Sequence, residues 1–161
     1  MKFESGNILI SGANGTGTHA AAYSLAPTNT ICIPVDQFDG REKLSEILHR
    51  VEGLLLDDKT TGIILESSAS LLLKMQSEVI RLLKLNTNLN RLLIFVVESK
   101  CEDKIAALAP HFSCRLLGRC GEPFEESEKR KELNMGDFII PGKGKLSISF
   151  ETLQSPQPNR I

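Results

Sequence analysis

The chain has 161 residues, enough for one domain with its own core, and its 41% hydrophobic and 24% charged residues are ordinary for a soluble globular protein. The formal net charge of −1 excludes a bulk attraction to nucleic acid or membranes, and the lack of Trp, with a single Tyr, argues against an aromatic platform for stacked bases. No apolar run reaches the roughly 20 residues of a membrane span, and no signal peptide is visible. We therefore expect a cytoplasmic protein.

The first part of the chain, up to residue 66, alternates strand and helix patterns. Residues 7–11 (NILIS) predict a strand, which a glycine-rich turn and a short Ala-rich helix follow. Residues 30–35 (TICIPV) predict a second, buried strand, and 62–66 (GIILE) predict a third. Between them, 41–55 predicts a helix whose apolar face consists of Leu44, Ile47, Leu48, Val51 and Leu55.

The alternation continues as far as residue 118. Residues 91–97 and 113–118 predict the fourth and fifth strands, and a weak helix over 101–109 ends before Pro110. Strands that are apolar throughout and alternate with helices are covered on both faces, so the sequence predicts an α/β domain with a mostly parallel sheet of about five strands. Ahead of the fourth strand, 70–85 predicts one continuous amphipathic helix with Leu72, Met75, Val79, Leu82 and Leu83 on its apolar face.

The composition changes after residue 120. The mixed-charge stretch 125–132 (EESEKRKE) predicts a solvated surface segment. Residues 136–150 predict a C-terminal β-hairpin around a Pro-Gly turn, with Leu146, Ile148 and Phe150 on its buried face. We expect one domain over 1–152 and a disordered, proline-rich tail over 153–161.

The stretch 8–26 (ILISGANGTGTHAAAYSLA) has the layout of a phosphate-binding P-loop, G-x-x-x-x-G-K-[ST] between a strand and a helix. Gly12 and Gly17 occupy the two glycine positions, and Gly15 adds backbone freedom for a cradle of N–H groups. Thr18 stands where the lysine that reaches the phosphates is required, and His19 stands where a hydroxyl ligates Mg²⁺. The backbone half of the cradle is present, and the side-chain half is missing.

A second position is altered in the same way. The strand 62–66 lies where a Walker B strand is expected, but it ends in Glu66-Ser67, so that a serine replaces the carboxylate that would polarise water. Because both the P-loop and the Walker B-like strand lack their catalytic side chains, the sequence predicts a P-loop fold that has lost nucleotide hydrolysis. We expect no catalytic residues and no bound cofactor, with ATP and Mg²⁺ binding as the open alternative. Glu66 and Ser67 join the five loop residues as the candidate site.

From residue 7 to residue 150 the chain resembles a degenerate P-loop ATPase domain of the FtsK/HerA type. It is most similar to the inactive C-terminal ATPase modules of type VII secretion motors of the EssC/EccC kind. The similarity rests on 8–26, on the Walker B-like strand, on 90–99 with Glu98 and Ser99 in the sensor region, and on the late strand and hairpin.

The resemblance implies a P-loop NTPase-like three-layer sandwich that serves as a regulatory or substrate-binding module of a larger motor. Its partners would be other ATPase domains or a secreted protein, with no nucleic acid and with membrane contact only through a larger complex. In that setting the chain would be an excised or minimal domain.

Other interpretations stay open. Residues 68–99 also resemble clamp-loader AAA+ subunits of DNA replication, although a β-hairpin stands where a helical lid would follow. A weak nucleotide hydrolase is a further alternative. Arg115 and Arg119 are candidates for acting on a neighbour's nucleotide, or are plain surface residues. No metal site is expected, because the cysteine and histidine spacings match no compact zinc pattern; the residues weighed are Cys101, His111, Cys114 and Cys120.

Overall fold

The computed structural model describes residues 2–36, 40–149 and 159–160. Its strands are β1 Gly6–Gly12, β2 Ile31–Pro34, β3 Gly62–Glu66, β4 Leu92–Glu98, β5 Cys114–Leu117, β6 Asp137–Ile140, β7 Gly144–Ser147 and β8 Asn159–Arg160. They form one sheet in the order β7-β6-β5-β1-β4-β3-β2-β8. β1 to β5 are parallel, and β6 and β7 extend the β5 edge as an antiparallel hairpin. The predicted parallel core with its C-terminal hairpin is confirmed.

The tail was predicted to be disordered over 153–161. Most of it lies outside the described residues. Asn159–Arg160, which are described, pair in parallel with the outer edge of β2 as the short strand β8. Asn159 and Arg160 are polar and directly follow Pro158, so the local sequence predicted no strand here.

Helices cover both faces of the sheet, which gives the predicted three-layer arrangement. The helices are α1 Thr18–Leu25, α2 Arg41–Leu56, α3 Ala69–Lys74, α4 Gln76–Leu89 and α5 Ser127–Arg130, with 3₁₀ turns at Ser99–Cys101 and Ala106–His111. Alternate residues of the parallel strands point to opposite faces, so Leu9 packs with the α2 and α4 side while Ile8 and Ile10 pack with the α1 side. The two apolar clusters explain why β3 and β4 carry continuous apolar sequence.

The helix predicted over 70–85 is interrupted, and this expectation was wrong. Met75 leaves helical geometry (φ −126°, ψ 39°), so that α3 ends at Lys74 and α4 begins at Gln76. Arg41 donates a hydrogen bond from its guanidinium to the Lys74 carbonyl at 3.3 Å. No glycine or proline marks the break, so the local sequence carries no signal for it.

Two smaller differences lie in the second half of the chain. Where a helix ending before Pro110 was expected, the backbone forms 3₁₀ turns, and the second of them includes the proline. In the hairpin, β7 begins at Gly144, with Leu146 and Ile148 packed against the α1-side core as predicted. Phe150, the third residue predicted for that face, lies outside the described residues.

The hairpin contains a carboxylate held by its neighbours. Lys145 Nζ lies 3.4 Å from Asp137 Oδ2, and the Asn134 N–H donates to the same oxygen at 3.3 Å. Burial raises the pKa of Asp137, but a hydrogen bond from the Ser147 side chain, the Asn134 N–H and the Lys145 charge outweigh burial and hold that pKa below its ordinary value. The ionised form of Asp137 therefore favours the folded hairpin.

A pair of buried asparagines joins α4 to the start of β1. Asn86 Nδ2 donates to Asn7 Oδ1 at 2.8 Å and to the Arg91 carbonyl at 2.9 Å, while Asn86 Oδ1 accepts from the Arg91 N–H at 3.1 Å. Asn7 Nδ2 in turn donates to the Leu83 carbonyl at 2.9 Å. Because both amides are nearly inaccessible to solvent, these partners satisfy groups that would otherwise be costly to bury.

The charged stretch 125–132, expected to be a solvated face, contains the largest fully buried side chain among the described residues. Arg130 is 0% exposed and makes two hydrogen bonds to the Glu102 carboxylate, at 2.8 and 2.5 Å. Its Nε donates to the Gly118 carbonyl at 2.8 Å, and Glu102 also accepts from Ser11 Oγ at 2.5 Å. Burial lowers the pKa of Arg130, but the hydrogen bonds and charge of Glu102 outweigh burial and raise that pKa. The pair therefore ties the late segment to the end of β1.

Candidate functional site: the glycine-loop cavity

A cavity of about 520 Å³ lies at the carboxyl ends of the central strands, within the range of small-molecule sites. In a parallel sheet this edge is where ligands bind, at the point where the strand order reverses. Six of the seven candidate residues line this cavity, namely Gly12, Gly15, Gly17, Thr18, His19 and Ser67. Glu66 does not line it, since its side chain is buried and only 3% of the residue is exposed.

The loop between β1 and α1 has the backbone form that its glycines suggested. Gly15 and Gly17 have φ values of +81° and +86°, which favour glycine. A Cβ at Gly12 would lie 2.6 Å from Thr16 Oγ1, so this glycine is required by packing as well. Gly17 is the N-cap of α1 and provides no side-chain hydrogen bond, so the first-turn N–H groups have no side-chain cap.

The loop is fastened to the second half of the chain on its other side. The Ala13 N–H donates to the Arg119 carbonyl at 2.8 Å, and the Thr16 carbonyl accepts from the Gly136 N–H at 3.2 Å. Thr16 Oγ1 donates to the Ala13 carbonyl at 2.6 Å, which folds this side chain into the loop. The loop is thus held by protein contacts alone.

The cavity contains charged side chains that the loop sequence does not reveal. Asp36 lies just after β2, Glu98 is the last residue of β4, and Lys100 lies two residues beyond it. Lys100 Nζ lies 3.0 Å from Glu98 Oε2, and the hydrogen bond and charge of Glu98 raise the pKa of Lys100. Among the described residues that line the cavity, two carboxylates therefore face one ammonium, which is already paired. Only the meeting of strand ends in the folded sheet brings these groups together.

The Walker B-like end of β3 presents a serine instead of a carboxylate. Ser67 adopts φ +50°, an uncommon value for a residue with a side chain, and its Oγ lies 3.4 Å from His19 Nε2. Ser68 follows it, and both its N–H and its Oγ donate to the Val96 carbonyl, at 2.9 and 3.1 Å. The contacts of Ser68 fix the turn after β3 so that Ser67 faces the cavity and Glu66 stays in the sheet.

A magnesium nucleotide does not match this set of side chains. The lining described here supplies no cation free of a carboxylate partner for the phosphates, and no acid at the end of β3 that faces the cavity. Within the described ranges no three His, Cys, Asp or Glu side chains are grouped closely enough to hold a metal ion. The cysteines and histidine that were weighed as a zinc set thus form no such group.

Arg115 and Arg119, the two candidates for acting on a neighbouring subunit's nucleotide, differ in their surroundings. Arg115 is paired within the chain, since its two guanidinium nitrogens donate to the two Glu125 oxygens at 2.6 and 3.3 Å. Arg119 is exposed and lies beside the glycine loop, where its carbonyl accepts from Ala13. Arg119 is the one of the two whose side chain is exposed at the surface.

Comparison by sequence gives no match, either to a protein-family model or to a curated protein. Comparison of structures does. The chain is similar to EssC (ATPases 2 and 3) from Geobacillus thermodenitrificans, with a TM-score of 0.53 and 11% identity over 97% of this chain and 46% of the other. It is also similar to the cytoplasmic domain of EssC, with a TM-score of 0.52 and 13% identity over 96% of this chain and 38% of the other.

These likenesses establish the fold. The chain has the fold of the EssC ATPase domains, as the sequence resemblance predicted. It spans less than half the length of each of these two solved chains. No helix in the described part of the chain combines the length and apolar character needed to cross a membrane.

Proposed function

We propose that the chain is a catalytically inactive ATPase-like module of a secretion or translocation motor, with a regulatory or partner-binding role in the cytoplasm. The observation that carries this proposal is the cavity at the glycine loop. It keeps the position and backbone form of a phosphate site, but Thr18 and Ser67 stand where the lysine and the water-polarising acid are needed. Hydrolysis in such a site would lack both its phosphate cation and its base.

The proposed partners are other ATPase domains of the same motor or a secreted protein. The EssC structure that the chain matches contains, by its title, two ATPases, and the chain spans 46% of it. That share fits one module of an array. A module that no longer hydrolyses nucleotide still offers surfaces to its neighbours. The cytoplasmic placement is supported by the second match, which is titled a cytoplasmic domain.

Nucleotide binding without hydrolysis is the second candidate function. The observation that favours it is the open cavity, which Thr18 and the exposed His19 line. Against it stands the charge of the described lining, since two carboxylates repel a triphosphate and Lys100 is already paired with Glu98. A clamp-loader role has no comparable support from the described site.

Calorimetry with ATP and ADP, with and without Mg²⁺, tests the proposal, together with a phosphate-release assay at high protein concentration. We expect no turnover above background and no heat of binding up to about 1 mM nucleotide, a concentration that corresponds to about 4 kcal/mol of binding free energy. The matched control is Thr18→Glu, which adds a negative charge at the phosphate position.

A contaminating ATPase would give the same release with both proteins. Turnover by the wild-type chain that Thr18→Glu abolishes would refute the inactive-module proposal. Binding at micromolar nucleotide without turnover would replace it with the nucleotide-sensor alternative. The gain-of-function variant Thr18→Lys should bind ATP more tightly than the wild type, because it adds the missing cation.

A further inference from the structure

We propose that Ser67 and His19 form a serine–histidine dyad that transfers acyl groups from small uncharged esters bound in the glycine-loop cavity. This activity goes beyond the proposed function and does not depend on it. The two residues are 48 positions apart in the chain, and the fold brings Ser67 Oγ and His19 Nε2 to 3.4 Å at the mouth of one cavity. Neither residue type in its sequence context signals such a pairing.

The backbone at Ser67 has the character of a nucleophile position. Ser67 lies between the end of β3 and the start of α3 at Ala69, and its φ of +50° is strained for a residue with a Cβ. Serine nucleophiles of α/β enzymes occupy such sharp strand-to-helix turns, which expose the hydroxyl above the sheet. The Ser68 hydrogen bonds to Val96 hold the turn in place, so the surrounding structure maintains the strain.

His19 supplies the base from a separate element. It lies in the first turn of α1 and is exposed, so that its ring can exchange protons with solvent. The 3.4 Å distance is longer than the 2.6–3.2 Å of a working nucleophile–base pair, but such hydrogen bonds often tighten only when substrate is bound. Nucleophile and base within reach at a cavity constitute the minimum geometry for covalent acyl transfer.

The charges around the cavity select the substrate class. A phosphate ester would meet the carboxylates of Asp36 and Glu98, and the only ammonium among the described lining residues is paired with Glu98. A neutral carboxylic ester meets no such repulsion. The oxyanion that forms when it is attacked would face the uncapped first-turn N–H groups of α1, which favour negative charge. The volume of about 520 Å³ admits a small ester.

The reaction balances with water as the only other reactant. Ser67 Oγ attacks the carbonyl carbon and its proton passes to His19 Nε2. The bond from that carbon to the alcohol oxygen then breaks, and the alcohol leaves with the proton from His19. A water molecule attacks the acyl-serine with His19 again as base, which releases the carboxylic acid and regenerates the Ser67 hydroxyl.

Ser70 and Cys101 also line the same cavity and serve as controls. Ser70 lies in α3 and has the same hydroxyl chemistry. Burial, and then the Glu98 charge, raise the pKa of the Cys101 thiol, which keeps it protonated at neutral pH. His19 Nε2 contacts Ser67 Oγ, so the proposal predicts selective reaction at Ser67.

The test is covalent labelling with a fluorophosphonate–rhodamine probe, in which Ser67 Oγ bonds to phosphorus and fluoride leaves. Mass spectrometry identifies the labelled residue, and the acyl burst with p-nitrophenyl acetate gives the rate. We expect label on Ser67, none on Ser67→Ala, and undiminished labelling of Ser70→Ala. His19→Gly should label at least about 100-fold more slowly, and added imidazole should restore part of the rate.

The proposal is overturned if the wild-type protein takes no label, if the label lies elsewhere, or if His19→Gly reacts as fast as wild type. Rescue by imidazole separates a base from a residue that only shapes the loop. Circular dichroism confirms that each variant is folded. The ATP calorimetry tests a different reaction from the ester assay. Absence of ester activity would therefore leave the proposal of lost ATP hydrolysis intact, and detection of ATP turnover would leave the ester proposal intact.

Discussion

Replacing Arg130 with methionine is expected to destabilise the fold by about 3–5 kcal/mol, because Glu102 would be left as a charge without its partner. The magnitude follows from burial, since the Arg130 side chain is 0% and the Glu102 side chain 11% exposed. Solvent can therefore do little to compensate the stranded carboxylate. For a chain of this size the loss corresponds to a fall in melting temperature of about 6–20 °C.

The double variant Arg130→Met/Glu102→Leu should lose less stability than Arg130→Met alone. Removing both charges leaves neutral groups without these partners, namely the Gly118 and Glu125 carbonyls and the Ser11 hydroxyl, which cost about 1–3 kcal/mol each at most. Urea unfolding of the wild type, the two single variants and the double variant gives the coupling free energy directly.

An exposed ion pair provides the control. The Arg41 and Glu78 side chains are 70% and 34% exposed at 3.2 Å separation, so Arg41→Ala should change stability by no more than about 1 kcal/mol. A cost below about 1 kcal/mol for Arg130→Met would refute the buried-pair reasoning. So would a double variant whose cost equals the sum of the two single costs.

Three further changes have defined outcomes. Gly12→Ala places a Cβ 2.6 Å from Thr16 Oγ1 and should cost about 1–3 kcal/mol in urea unfolding, whether or not nucleotide is present. Asn86→Leu strands the amide and carbonyl partners of its side chain and should cost about 1–3 kcal/mol in urea unfolding, whereas Asn86→Asp should cost at least as much, because it buries a carboxylate against the Asn7 Oδ1 and Arg91 carbonyl oxygens. Because the pKa of Asp137 is lowered in the folded protein, its contribution to stability is present above about pH 4 and is lost as pH falls further. The difference in melting temperature between wild type and Asp137→Asn should therefore become smaller below about pH 4. A difference that stays constant with pH would contradict this.

Much of the fold follows from apolar periodicity and from the order of elements. The five parallel strands, the face of α2 and the final hairpin are all written locally as runs of apolar residues between turn signals. The break at Met75 and the strand β8 cannot be predicted from the local sequence, because each depends on contacts with distant parts of the chain. The buried Arg130 shows the limit most clearly. Within 125–132 it is one charge among many, and only the position of Glu102 determines that it is enclosed.

The candidate site was predictable where it is continuous in sequence and not where it is assembled. A glycine-rich loop after a strand is recognisable in the sequence, and six of the seven predicted residues do line one cavity. Asp36 and Lys100 were missed because nothing in their own neighbourhoods distinguishes them from surface charges. One signal was present: each follows the end of a parallel strand, and such ends converge at the same edge of the sheet.

The glycines of the loop, considered with their contacts, do not by themselves indicate a nucleotide. Gly12 is required because a side chain would collide with Thr16, and Gly17 has φ +86° as the N-cap residue just before α1. Both requirements come from the strand-to-helix turn itself. Gly15 differs, since a Cβ there would meet nothing within 4 Å, and only its φ of +81° favours glycine. A P-loop frame can therefore persist for reasons of packing after its phosphate chemistry has gone, and function must be inferred from the side chains that face the cavity.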